Sequence, residues 1–104
     1  MKPFLEKDIN EILKNTNNLY ELFAGKNILM TGGNGFLGKY LVEYFKRINK
    51  QINKPLKLTV YDFTYKKNKF EKNIQLIKKD VSKPFYSKKK YDIVIHAAGI
   101  ASPF

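Results

Sequence analysis

Apolar positions recur along this chain at two spacings, and the spacings predict its elements. Ile9, Ile12, Leu13, Thr16, Tyr20 and Phe23 lie three, four or a few residues apart, as on one face of a helix. Asp8 with Glu11 fits a D-x-x-E capping pattern near its start. The Asn15–Asn18 stretch weakens the pattern, so residues 1–24 read as a helical extension with a weak point near its middle, packed on the unit that follows. Gly25-Lys26 ends it. Asn27–Thr31 predicts a short buried strand, and Leu37, Tyr40, Leu41, Tyr44, Phe45 and Ile48 predict an amphipathic helix. Leu56–Tyr61 alternates as a second strand. Lysine-rich Phe63–Asn73 predicts a loop or one short helix. Ile74–Ile77 predicts a third strand and Tyr91–Ala98 a fourth. Strand, glycine turn, helix, strand is a βαβ unit, and nearly continuous apolar strands predict a parallel sheet covered on both faces. The expected fold class is α/β: the N-terminal half of a Rossmann-type doubly wound sheet, with about four strands in residues 25–104. The fourth strand would be an exposed edge.

Composition narrows the classes. The 104 residues suffice for one domain or part of one, and 43% hydrophobic with 14% aromatic residues supports a packed core. The absence of cysteine excludes a disulfide scaffold, a thiolate zinc site and a cysteine nucleophile. A single histidine, His96, excludes a multi-histidine metal site within the chain. No apolar run is long enough for a bilayer, and the N-terminus lacks a secretory apolar region, so a cytoplasmic, non-membrane protein is expected. The net charge of +11 would suit a nucleic-acid binder. Against that, every basic residue but Arg47 is lysine, and the lysines are spread along the chain. Base readout favours arginine. Solvated lysines in a lysine-, asparagine- and isoleucine-rich sequence explain the charge better, and no nucleic-acid partner is expected.

The glycine turn carries the chemistry. Gly33-x-Gly35-x-x-Gly38 follows a predicted strand and opens a predicted helix, the context that gives this dinucleotide fingerprint meaning. Gly32 and Gly35 would let the backbone approach a pyrophosphate. Gly38 would let the helix sit close to the strand. Phe36 and Leu37 would open the helix, whose free N–H groups favour an anion. Asp62 closes the second strand 24 residues after Gly38, placed to accept from ribose hydroxyls and to repel a 2′-phosphate. That favours NAD over NADP, although Lys66 and Lys67 nearby would attract the phosphate. Asp80 and Val81 follow the third strand on the same sheet edge, where Asp80 would accept from adenine. Ala97, Ala98 and Gly99 are small enough to let a cofactor lie against the backbone. His96 reads as a packed or supporting histidine rather than a metal ligand or general base.

Together these segments resemble the extended short-chain dehydrogenases/reductases, the NAD-dependent epimerase/dehydratase group that acts on nucleotide sugars. Thr31-Gly32-Gly33-Asn34-Gly35-Phe36-Leu37-Gly38 resembles its TGGxGFLG signature. Asp62 matches its ribose-binding acid, Asp80-Val81 its adenine-side pair, and His96-Ala97-Ala98-Gly99 its strand end beside the cofactor. Ile100-Ala101-Ser102-Pro103 is similar to a segment of UDP-glucuronate decarboxylases. The resemblance covers residues 25–104. It implies bound NAD, a nucleotide-sugar substrate, transient hydride transfer and, for the full-length enzyme, a homodimer. The family's catalytic Ser/Thr and Tyr-x-x-x-Lys pair lie downstream of Phe104, so this stretch alone is expected to bind cofactor without turnover. Tyr65 with Lys69, and Tyr86 with Lys90, fit Tyr-x-x-x-Lys, but both precede the fourth strand and are rejected. An NADP-dependent carbonyl reductase of the same superfamily and a non-catalytic dinucleotide-binding module stay open as alternatives.

Overall fold

The structure, a computed structural model, describes residues 6–81 and 89–97. Its sheet is built from β1 (Asn27–Thr31), β2 (Lys57–Tyr61), β3 (Lys69–Glu71), β4 (Ile74–Ile77) and β5 (Ile93–His96). β1 and β2 each carry four consecutive buried residues. That lack of alternation suits central parallel strands. They pair in parallel from Asn27 opposite Lys57 to Thr31 opposite Tyr61. β4 adds in parallel to β2, and β5 in parallel to β1. The order is β3-β4-β2-β1-β5. The chain therefore builds outward from β1 on one side, then returns to place β5 on the other. In an open α/β sheet, such a reversal leaves a crevice at the carboxyl ends of the strands.

Strand β3 departs from the expectation of a loop or helix. It pairs antiparallel with β4, Glu71 opposite Ile74, through a two-residue turn at Lys72 and Asn73. Asn73 takes a φ of 64°, a conformation asparagine tolerates well. Glu71 is pinned by Lys46 at 2.9 Å and Lys69 at 3.2 Å. Being an outer strand, β3 leaves Phe70 65% exposed, so no apolar alternation marks it in the sequence. β5 is shorter than the expected Tyr91–Ala98, although Asp92 and Ala97 extend its pairing by donating to the carbonyls of Asn27 and Thr31 at 2.7 and 2.9 Å.

Helix α1 (Glu6–Asn15), a 3-10 turn at Asn17–Leu19 and α2 (Tyr20–Phe23) precede the sheet; α3 (Phe36–Ile48) follows β1. The face of α3 bearing Val42, Phe45 and Ile48 packs on Ile28, Met30, Leu58 and Val60. Helix α1 then covers α3. Its Ile9 is fully buried in the same cluster. Burial of a side chain of this size contributes about 1.5–3 kcal/mol. Arg47 of α3 forks onto Glu6 at 3.0 and 2.6 Å and reaches Glu43 at 2.7 Å. Thr16 and Tyr44 hydroxyls lie 2.8 Å apart, and the Phe23 ring meets Phe45 edge-on. The extension does break within Asn15–Asn18, where the Tyr20 hydroxyl donates back to the Leu13 carbonyl at 2.6 Å. The expected cap at Asp8 is corrected: α1 already spans Glu6, so Asp8 is a helical residue and not the N-cap.

Both faces of β1 and β2 are buried, as expected, but β5 differs. Val94 is 51% exposed and His96 is exposed beside it on the same face, opposite the helices. Among the described residues no helix covers that part of the sheet. None of their helices is long and apolar enough to cross a membrane.

Candidate functional site

β1 runs directly into the glycine turn. Gly32 donates to the Tyr61 carbonyl at 2.8 Å, carrying the parallel pairing one residue beyond the strand, and then turns with a φ of 84° that suits glycine. Gly35 closes the turn, donating to the Gly32 carbonyl at 3.3 Å. It also forms the N-cap of α3 in an extended conformation, with no side-chain cap. The N–H groups of Phe36, Leu37 and Gly38 have no acceptor within the helix and share its partial positive charge.

The three fingerprint glycines face different surroundings. A Cβ on Gly38 would strike the Gly32 carbonyl oxygen and approach the Gly33 Cα to 2.7 Å. A Cβ on Gly33 would collide with Val60 and the Tyr65 hydroxyl. Gly35 alone faces open space, its nearest neighbour being the Gly32 oxygen at 3.6 Å. Protein therefore fills the space at Gly33 and Gly38 and leaves it free at Gly35, beside the uncapped helix end. That cradle fits a diphosphate.

Asp62 stands at the end of β2, 9% exposed. Its Oδ2 accepts from the Asn34 N–H at 2.9 Å. Its Oδ1 accepts from the Thr64 N–H at 2.9 Å and from the Thr64 hydroxyl at 2.7 Å. The Asn34 side-chain amide donates to that hydroxyl at 2.8 Å, which closes a polar ring between turn and strand end. Burial pushes the Asp62 carboxyl up, but hydrogen bonds from Thr64 and Asn34 outweigh it and hold the group below the usual carboxylate range. It is ionised at neutral pH. Burial, then the nearby Asp62 charge, pushes the Tyr65 phenol up to about 12.

The remaining expected residues spread along the same edge. Lys79 donates to the Asp62 carbonyl at 3.3 Å, bringing the end of β4 beside Asp62. Beyond it, Asp80 is exposed and Val81 half-buried. Ala97 is 4% exposed, its N–H bonded to Thr31 at the end of β1. Ala98 and Gly99 lie outside the described residues, as do Ile100–Pro103. Of the two roles expected for His96, packed or supporting, the packed one does not hold. His96 is exposed on β5, beyond which no further strand pairs among the described residues, and its Nδ1 lies 3.1 Å from the Thr31 hydroxyl. Phe36 is 74% exposed and Leu37 39%. Lys66 and Lys67 are exposed beside the ring. No metal-binding group of acidic and histidine residues occurs among the described residues.

Sequence reasoning missed Asn34, Thr64 and Tyr65. The D-x-T spacing of Asp62 and Thr64 is a turn signal that could have found one of them. Tyr65 entered only through its rejected pairing with Lys69, and in the structure Lys69 begins a strand rather than lying on a helix.

Comparison with known proteins places this strand, turn and helix within a family match. The family model described as the NAD dependent epimerase/dehydratase family matches residues 28–104. The chain belongs to this family. Its members bind a nicotinamide dinucleotide, NAD or NADP, and are usually enzymes. A Drosophila melanogaster protein named as a fatty acyl-CoA reductase is 38% identical over 68 residues, which is 65% of this chain and 11% of that protein. The chain thus spans about a tenth of that relative's length. No solved structure matches it significantly.

Proposed function

We propose that this chain binds NAD as the cofactor-holding part of an oxidoreductase-type enzyme, with residues 1–24 as an extension of that unit. The observation that carries the reading is the ionised Asp62 carboxylate, tied to the glycine turn by the Asn34 N–H. A buried negative charge there accepts from a ribose hydroxyl and repels a 2′-phosphate. In the same reading Phe36, Leu37 and Gly38 donate N–H groups to the diphosphate, and Gly32 and Gly35 keep its approach clear. Asp80 and Val81 flank the adenine. Ala97, with Ala98 and Gly99, leaves room for the cofactor along the end of β5. Bound nicotinamide would supply the hydride acceptor or donor. These residues bind and orient, and none of them moves the substrate proton.

The substrate implied by the family resemblance is a nucleotide sugar, oxidised at one carbon so that epimerisation, elimination or decarboxylation can follow. The similarity to a protein named as a fatty acyl-CoA reductase favours a second reading, reduction of an acyl carbonyl by hydride from NADPH, which leaves NADP. Titration calorimetry of the chain with NAD and NADP, at low and high salt, tests the cofactor assignment. NAD binding that persists in high salt and weakens in Asp62→Ala supports the first reading. Preference for NADP supports the second. Binding to neither by the folded chain removes the dinucleotide assignment for this stretch.

A further inference from the structure

The ring around Asp62 restricts how the carboxylate can meet a ligand. A carboxylate offers about four acceptor positions, two on each oxygen. Oδ1 has both filled by Thr64, through its N–H at 2.9 Å and its hydroxyl at 2.7 Å. Oδ2 gives one to the Asn34 N–H at 2.9 Å. One position remains, on Oδ2. The hydroxyl of Thr64 cannot rotate away without loss, because the Asn34 amide donates to its oxygen at 2.8 Å and directs its proton to Asp62. We propose that Thr64 is a positioning residue for the adenosine ribose, holding Asp62 so that a single Oδ2 acceptor site faces one ribose hydroxyl. The inference rests on the dinucleotide reading above.

The consequence is a specificity that depends on orientation as well as charge. An unrestrained aspartate would present two oxygens to two hydroxyls. Here the carboxylate arrives oriented for one, and a ligand with a phosphate in that place meets a fixed anion. Releasing the carboxylate leaves its charge in place but requires realignment on binding, which weakens affinity. Tyr65 is the titratable side chain that feels the Asp62 charge, and it stays protonated throughout the acid range.

The test compares wild type, Thr64→Val, Thr64→Ser and Asn34→Ala in the full chain. Three quantities are read: NAD affinity, the NAD-to-NADP affinity ratio, and the acid midpoint of the Asp62 carboxyl followed by carbon NMR. Thr64→Val is expected to weaken NAD about tenfold, the scale of one charge-assisted hydrogen bond, with a smaller change for NADP. The Asp62 midpoint should move up. Thr64→Ser, which keeps the hydroxyl, should restore both. Asn34→Ala should show a smaller loss in the same direction, and it carries the test if Thr64→Val does not fold. A purely structural threonine would lower the melting temperature while leaving the affinity ratio and the midpoint unchanged, and that result overturns the proposal. So does NAD affinity that is unchanged or tighter in Thr64→Val. If wild type binds neither dinucleotide while the Asp62 midpoint still moves, the ring is real but the dinucleotide reading has failed, and the ribose role falls with it.

Discussion

An alanine at Gly38 would set its Cβ against the carbonyl oxygen of Gly32 and 2.7 Å from the Cα of Gly33. Both neighbours are backbone, so neither can rotate aside. The first turn of α3 would have to lift away from the end of β1. Overpacking of this kind costs about 1–3 kcal/mol and occasionally more. In a chain of about this size, each kcal/mol lowers the melting temperature by roughly 4–8 °C, so Gly38→Ala is expected to lose about 10 °C or more. Gly35 is the contrasting position. Its φ of −81° suits any residue, and a Cβ there meets only the Gly32 oxygen at ordinary contact, 3.6 Å. The small penalty for alanine at an N-cap and the reduced freedom of the unfolded chain nearly cancel, each about 0.5–1 kcal/mol. Gly35→Ala should therefore melt within about 4 °C of wild type. Its Cβ would occupy the open side of the turn, and NAD affinity should fall at least about tenfold, because a pyrophosphate must approach that backbone closely. Thermal melts by circular dichroism and calorimetric titration read the two effects separately. Wild-type melting in Gly38→Ala, or wild-type NAD affinity in Gly35→Ala, would refute the division of labour among the glycines.

Acid should destabilise the fold through Asp62 and Glu71, the latter held low by its hydrogen bond to Lys46 against burial, with a second from Lys69. Both folded values lie below the unfolded ones, so their contribution is present above about pH 4 and is lost as pH falls through the folded values; urea unfolding from pH 6 to 2 should show this, with a shallower fall in Asp62→Asn. Tyr65 should ionise near 12 in an ultraviolet titration, with Tyr20 and Tyr61 also moved up by burial, and Tyr65→Phe should remove the step near 12. Tyr65 is raised in the folded state, so its contribution is complete below about 10 and is lost as pH rises toward the folded value. Arg47→Ala should cost about 1 kcal/mol, a modest figure because the Glu6 side chain is 43% exposed. Hydrogen exchange should then quicken in α1 and α2 while β1 and β2 stay protected.

How much of this molecule is legible in its sequence follows from how far each feature reaches along the chain. β1, β4 and α3 are local matters. Runs or periods of apolar residues between glycine, proline and asparagine punctuation specify them, and they lie where that pattern puts them. The glycine fingerprint is legible in the sequence as a spacing, and at Gly38 its cause is local, steric contact with Gly32 and Gly33; at Gly33 the cause is distant in the chain, Val60 and Tyr65. Asp62 stands out because an acid at a strand end is visible beside that fingerprint. Other features depend on partners distant in sequence. β3 exists because β4 offers an edge and Lys46 of α3 reaches Glu71; its three residues, with one exposed phenylalanine between two charges, are too few to carry a periodic signal. His96 looks like an interior residue at the end of an apolar strand, yet among the described residues no strand pairs beyond β5 and no helix covers that face. The ring of Asn34, Asp62 and Thr64 requires the end of β2 to lie beside the turn after β1. Residue spacing could indicate Asp62 and, through the D-x-T turn signal, Thr64. Only the parallel pairing of two strands separated by a helix brings Asn34 within hydrogen-bond reach of them, because a bond lasting a few ångströms is decided by the sheet and not by the neighbours in the chain.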